Sequence, residues 1–254
     1  VFGLSSISYS SDINIVITND KNKWSRCPVI EICKDPNQSI GGVEPMSLRS
    51  SNSLDIDGNE DVSSKGYSYF PGYAININTG ERLNIAFGEN SGLYTGADNG
   101  RDMKWNPTSS YYNGSGYPIF GGQHPIYIFQ KSKDPNGMPH YDEGQFIHDN
   151  LNNGNILTYR NVWKECIYVS YPMLAPGRNL LETDVTIRVR SEKPYENYVA
   201  TNERNGWPTY EFSTRGLDVV NNDRTSLADN MSNINIVPNP YLGYSGYERG
   251  PLDY

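Results

Sequence analysis

The sequence has few cysteines and histidines, three of each in 254 residues, and no excess of positive charge. Lys and Arg number 21 against 29 Asp and Glu, which gives a formal net charge of −8. Such a chain lacks the basic field that holds nucleic-acid phosphates. It also contains no long run of apolar residues, so it predicts no membrane-spanning helix. These absences argue against nucleic acid as a partner and against a transmembrane segment.

The motifs of common catalytic and metal sites are also missing. There is no G-x-S-x-G elbow, no G-x-x-x-x-G-K-[ST] or G-x-G-x-x-G phosphate loop, and no C-x-x-C pair for zinc. The acidic residues are scattered, and nothing fixes two carboxylates at the separation that glycoside hydrolysis requires. The sequence therefore predicts a protein that is not an enzyme.

Aromatic and β-branched residues are abundant and occur in short runs between turn-forming residues. Tyr occurs 20 times, Gly 24 times and Pro 16 times. Apolar residues alternate along residues 12–18 and 184–190, as expected for half-buried strands, and residues 73–87 predict a β-hairpin around Gly80. Further strands are predicted at residues 126–130, 165–170 and 233–237.

These patterns predict an all-β fold, a β-sandwich-like domain or domains with long ordered loops and little helix. Only residues 142–151 and 225–231 carry short helical patterns. Residues 34–68 and 88–123 are longer than usual connections and are expected to pack as ordered loops. We expect residues 1–232 to form the β-rich region, with one or two packed subdomains.

An acidic segment, DIDGNED at residues 55–61, places oxygen-bearing side chains at alternate positions. Calcium takes about six to eight oxygen ligands from a curled loop, so this segment predicts a calcium site. The predicted ligands are Asp55, Asp57, Asn59 and Asp61. The spacing is not that of an EF-hand, because Gly58 is at the fourth position of the segment. The alternative is a solvated acidic turn.

Cys27 and Cys33 are near each other in sequence, and Cys166 is far from both. Two thiols in one short segment either pair as a disulfide or are simply buried, and the sequence leaves both interpretations open.

Several aromatic residues fall in turn-rich segments, where exposed rings would stack on sugars or contact a protein partner. Aromatic residues of β proteins also fill cores and pair across strands, so both roles are considered. The candidates for a glycan- or partner-binding surface are Trp105, Tyr111, Tyr112 and Trp207.

Six segments, in order along the chain, resemble one family: very large secreted, cell-surface proteins of the phylum Bacteroidota that carry a C-terminal sorting domain for type IX secretion. The segments are DKNKWSRCPVIE (20–31), GYSYFPGYAININTGERLNIAFGENS (66–91), NGRDMKWNPTS (99–109), PIFGGQHPIYIF (118–129), VTIRVRSEKPY (185–195) and NINIVPNPYLGYSGYERGPLDY (233–254). The last segment is the most specific, since it is similar to the V-P-N-P-Y/F stretch that leads into such a sorting domain.

The resemblance implies that residues 233–254 are the linker and first strand of a sorting domain that is truncated at Tyr254. It implies an extracellular or cell-surface location, with the type IX secretion machinery and other cell-surface or outer-membrane proteins as partners. We therefore expect a non-enzymatic structural or interaction module of a larger protein, with calcium as the only candidate cofactor. The alternatives are a glycan-binding module and an accessory domain of a polysaccharide-degrading enzyme.

Overall fold

The computed structural model describes residues 12–93, 100–152 and 155–190. All of them lie in the first of the two units into which the chain divides, Val1–Thr201 and Asn202–Tyr254. Four features predicted from the sequence lie outside the described residues: the sorting linker at 233–254, its strand at 233–237, the helix at 225–231 and Trp207.

Within these ranges the chain forms eleven β-strands and three short α-helices. The strands are β1 (Ile13–Ile17), β2 (Ser25–Glu31), β3 (Ser47–Leu48), β4 (Asn52–Leu54), β5 (Glu60–Lys65), β6 (Tyr67–Phe70), β7 (Gly72–Asn76), β8 (Arg82–Glu89), β9 (Ile126–Phe129), β10 (Cys166–Ser170) and β11 (Val185–Val189). The helices are α1 (Phe120–Gln123), α2 (Gln145–Leu151) and α3 (Ile156–Trp163). Strand predominates, which confirms the all-β prediction.

Nine of the strands in the described ranges form one large mixed sheet, with β10-β9-β8-β7-β1-β11 as its main path. Strands β4 and β5 form a second, small sheet. Strand β2 changes partners along its length. Its first half pairs antiparallel with β6, and its second half pairs parallel with β8 and antiparallel with β3. Strand β2 therefore connects β3 and β6 to the main path of the large sheet through β8.

The predicted β7–β8 hairpin forms, with Ala74 opposite Leu83. Gly80 in its turn has a φ of 76°, a left-handed conformation that glycine adopts without steric cost. Strands β1, β9, β10 and β11 and helix α2 also lie within their predicted segments. Residues 34–68, predicted to be a loop, contain β3, β4 and β5. The sequence does not predict these strands, because they are short and lack an alternating apolar pattern.

The large sheet supplies side chains to two hydrophobic cores, because successive residues of a strand point to opposite faces. The first core includes Leu83, Ile85 and Phe87 of β8, Ile126 and Ile128 of β9, and Ile13, Ile15 and Ile17 of β1. The second core includes Ala86 of β8, Tyr127 and Phe129 of β9, Ile147 and Leu151 of α2, and Val162 of α3. The two longer helices therefore cover one face of the β8–β9 region.

Candidate functional site

Trp105, a predicted binding aromatic, lies in the first core and is only 3% exposed. Its Nε1 donates a hydrogen bond to the backbone oxygen of His124 at 3.1 Å. Its ring contacts Phe70 edge-on, with the ring centroids 5.0 Å apart. The structure thus separates Trp105 from the exposed tyrosines with which the sequence groups it, and makes it part of the floor of a cavity.

The cavity above Trp105, called here the Trp24 cavity, has a volume of about 250 Å³. Trp24 and Tyr69 form aromatic walls, and both are half-buried. The charged lining residues are Lys21, Asp55, Asp57 and Lys104. Two of the four predicted calcium ligands and one of the predicted binding aromatics therefore line a single cavity.

Asp55 shapes the turn beside this cavity by accepting hydrogen bonds within it. Its Oδ1 accepts from the backbone N–H of Asp57 at 2.9 Å and of Asn59 at 2.8 Å. Its Oδ2 accepts from the side-chain amide of Asn59 at 3.0 Å. These bonds, those from Asn59 above all, hold the pKa of Asp55 below its usual value.

The other two carboxylates among the predicted calcium ligands, Asp57 and Asp61, have separate partners. Asp57 forms an ion pair with Lys21, with 2.6 Å between Oδ1 and Nζ. Asp61 accepts hydrogen bonds from the backbone N–H of Ser63 at 2.9 Å and from the hydroxyls of Ser63 and Ser64. In the described ranges, no group of three or more His, Cys, Asp or Glu side chains is placed to hold a metal ion. Calcium at this segment stays a prediction from the sequence.

Tyr111 and Tyr112 belong to an exposed segment, residues 111–120, called here the aromatic loop. Tyr112 is 62% exposed and Tyr117 66%, and Tyr111 and Phe120 are exposed as well. Asn113 orders this loop, since its Oδ1 accepts from the backbone N–H groups of Ser115 at 3.0 Å and Tyr117 at 2.9 Å. A β-bridge between Tyr112 and Pro118 closes the turn.

Two other rings of the aromatic loop lie near that of Tyr111. The centroid of Tyr111 is 5.5 Å from that of Phe120 in an edge-on contact and 6.4 Å from that of Tyr112. Sequence analysis did not include Phe120, which the fold of the chain brings beside Tyr111. Asn113 and Gly116 are turn-forming residues, and they predict the turn that brings Tyr111 and Phe120 together.

Cys27 and Cys33 are both buried free thiols, so the structure does not form the disulfide considered from the sequence. Cys27 lies within β2, whose extended backbone continues to Glu31 and carries Cys33 away from it. A disulfide needs Cα atoms within about 7 Å, which an extended segment of this length does not allow. Burial raises the pKa of Cys27 to about 12.

Three charged side chains that sequence analysis missed form a fully buried cluster. Arg49 lies between Glu31 and Glu89, and all three side chains have no exposed surface. Arg49 Nη1 is 3.1 Å from Glu89 Oε2 and also donates to the backbone oxygen of Gly100 at 3.0 Å. Arg49 Nε is 3.5 Å from Glu31 Oε2. The guanidinium of Arg49 therefore interacts with two buried carboxylates.

Glu31 is also bound by other donors. Its Oε1 accepts from the backbone N–H of Cys33 at 2.9 Å, and its Oε2 accepts from the hydroxyl of Ser91 at 2.7 Å. Glu89 is less well satisfied: burial raises its pKa well above the ordinary 4.5, and Arg49 only partly opposes the shift. This cluster links β2 and β8 to the residue that directly follows β3.

A scan against protein-family models, a search of curated proteins and a search of solved structures each found no match to this chain. Among the residues that the structure describes, no helix has both the length and the apolar character needed to cross a membrane.

Proposed function

We propose that this chain is a non-enzymatic interaction module of a large cell-surface protein exported by type IX secretion. Support for the export route comes from the six sequence segments named above, above all the V-P-N-P-Y stretch at residues 237–241. The linker at 233–254 would connect the module to the sorting domain that the secretion machinery recognises.

The aromatic loop is the observation that carries the interaction role. Its Tyr and Phe rings are held in water by an ordered turn, although aromatic side chains gain free energy when they are buried. Tyr and Phe are enriched in the buried centres of protein interfaces. A loop that is already ordered also loses less conformational entropy when it binds. We therefore propose another cell-surface or outer-membrane protein as the partner of this loop.

The test is cross-linking of the full chain to outer-membrane proteins of its native source. The loop variant is Tyr112→Ala combined with Tyr117→Ala, and the matched control is Tyr171→Ala, an exposed tyrosine outside the loop. We expect the loop variant to lose the cross-linked species while the control retains it. Equal cross-linking in both variants would refute the role of the loop.

A glycan-binding module, or an accessory domain of a polysaccharide-degrading enzyme, is the second candidate function. The observation that favours it is the adjacent, exposed pair of Tyr111 and Tyr112 rings, because such rings also stack on sugars. Retention on immobilised polysaccharide that is lost in the double variant, without any protein cross-link, would favour this candidate.

A further inference from the structure

The Trp24 cavity combines aromatic walls with a polar rim, and the proposed interaction role makes no use of it. From this geometry we propose that the Trp24 cavity binds one neutral sugar ring, such as a single residue of a glycan chain. No residue of the aromatic loop is involved, so the proposed function and this inference can fail separately.

The walls of the cavity are fixed in place before any ligand enters. The indole Nε1 of Trp24 donates to the backbone oxygen of Thr18 at 2.8 Å, which sets the orientation of the ring. Tyr69 lies on β6, which pairs with β2 through Arg26 opposite it. Trp105 completes the floor and is anchored in the first core. Such rings offer apolar faces to the C–H face of a sugar, and their rigidity reduces the cost of binding.

The charges on the rim balance, which argues against an ionic ligand. Among the residues that the structure describes, the rim carries two cationic side chains, Lys21 and Lys104, and two anionic ones, Asp55 and Asp57. Lys21 and Asp57 pair at 2.6 Å, and Asp55 is satisfied by N–H donors of its own turn. A cation would have to compete with these bonds, and an ionic ligand of either sign would meet no net charge among these four side chains. Sugar hydroxyls both donate and accept hydrogen bonds, so they can use the polar groups of the rim without carrying a charge.

The size of the cavity sets how much of a ligand it accepts. Its volume of about 250 Å³ is just below the range of about 300–1,000 Å³ typical of small-molecule sites, so it suits one ring and not an extended chain. Leu181, on its wall, has a φ of 64°, a left-handed conformation that costs a branched residue free energy. Strained residues of this kind cluster at ligand sites.

The test uses the full chain labelled with ¹⁵N and a panel of neutral methyl glycosides: glucoside, galactoside, mannoside and N-acetylglucosaminide. We expect at least one glycoside to shift the indole N–H signal of Trp24 in a saturable way, with a dissociation constant near 1 mM, about −4 kcal/mol of binding free energy. The same titration with glycine, acetate and methylammonium is expected to leave that signal in place.

Two variants and one control locate the binding. Trp24→Ala is expected to weaken binding at least tenfold, and Lys104→Met, at an exposed rim position, to weaken it severalfold while the fold stays intact. Tyr117→Ala, far along the chain in the aromatic loop, is expected to bind as the parent does. The inference is overturned if no glycoside in the panel binds, if only the charged probes bind, or if binding is unchanged in both cavity variants.

Discussion

Glu31 and Glu89 lie directly beside each other in the parallel pairing of β2 and β8, and both side chains are fully buried. Two like charges at neighbouring positions of a sheet destabilise it. Arg49, the residue that directly follows β3, reduces this repulsion by contacting both carboxylates. The join between β2 and β8 therefore depends on a guanidinium that neither strand supplies.

Replacing Arg49 with Met is expected to destabilise the protein strongly. The methionine roughly fills the space, but Glu31 and Glu89 stay buried without their cation. Breaking a buried pair in this way costs about 3–5 kcal/mol of the free energy of unfolding. Urea unfolding measures the loss, and Arg178→Met, which removes an exposed ion pair with Glu182, serves as the control with a change of about 0–1 kcal/mol.

Glu89 makes stability depend on pH. Its pKa is raised by burial in the folded state, so the folded chain keeps a proton that the unfolded chain releases. Its contribution is therefore complete below the ordinary pKa of 4.5 and is lost as the pH rises through the raised value. Glu89→Gln cannot titrate. The difference in unfolding free energy, parent minus variant, should fall as the pH is raised; a difference that does not vary with pH would contradict the shift.

Trp105 and Tyr112, both predicted from sequence as binding aromatics, should behave oppositely when each is changed to Ala. Removing the buried Trp105 leaves a hole in the first core and is expected to cost about 3–5 kcal/mol of unfolding free energy. Removing the exposed Tyr112 is expected to change it by no more than about 0.5 kcal/mol. Thermal melting of the two variants beside the parent checks this order, and equal melting temperatures would refute the burial of Trp105.

Calcium at the acidic segment has a direct test. If Asp55, Asp57, Asn59 and Asp61 hold the ion, a chelator will lower the melting temperature and speed proteolysis within residues 42–66. Asp61→Asn should abolish that response, while Asp134→Asn, in an unrelated turn, should preserve it. If the chelator changes neither the melting temperature nor proteolysis, calcium does not contribute to stability. The hydrogen bonds accepted by Asp55 then hold the turn without an ion.

The thiol of Cys27 should be almost inert in the folded protein. It is fully buried, and burial raises its pKa to about 12, so very little reactive thiolate forms at neutral pH. Iodoacetamide under native conditions is expected to leave Cys27 unmodified and to label it after unfolding without reductant. Labelling of both Cys27 and Cys33 only after reduction would instead reveal the disulfide considered from the sequence.

Much of the sheet could be predicted because it follows local patterns. The alternation at residues 12–18 becomes β1, and residues 73–87 become the β7–β8 hairpin, since each pattern needs only its own neighbours. Helix α3 could not be predicted in this way. Its eight residues are too few to distinguish a helix from a strand by their apolar pattern alone, and only Val162 among them is buried.

The candidate sites were harder to predict, because they depend on contacts between distant parts of the chain. Glu31, Arg49 and Glu89 are far apart in sequence, and each alone looks like an ordinary surface charge. Trp105 and Tyr112 occur in similar turn-rich surroundings, but only packing against Phe70 assigns the first to the core. Composition and spacing carry no information about such packing.

Strand β1 has consequences for how the chain folds. It pairs with β7 on one edge and with β11 on the other, so that Ile13 faces Asn76 and also Val189. During synthesis, β1 and β7 emerge long before β11 does. The second edge of β1 therefore stays unpaired and open to other strands until the ribosome has passed Val189. We therefore expect a nascent chain halted before β11 to be prone to aggregation, because the pairing of β1 with β11 joins distant parts of the chain.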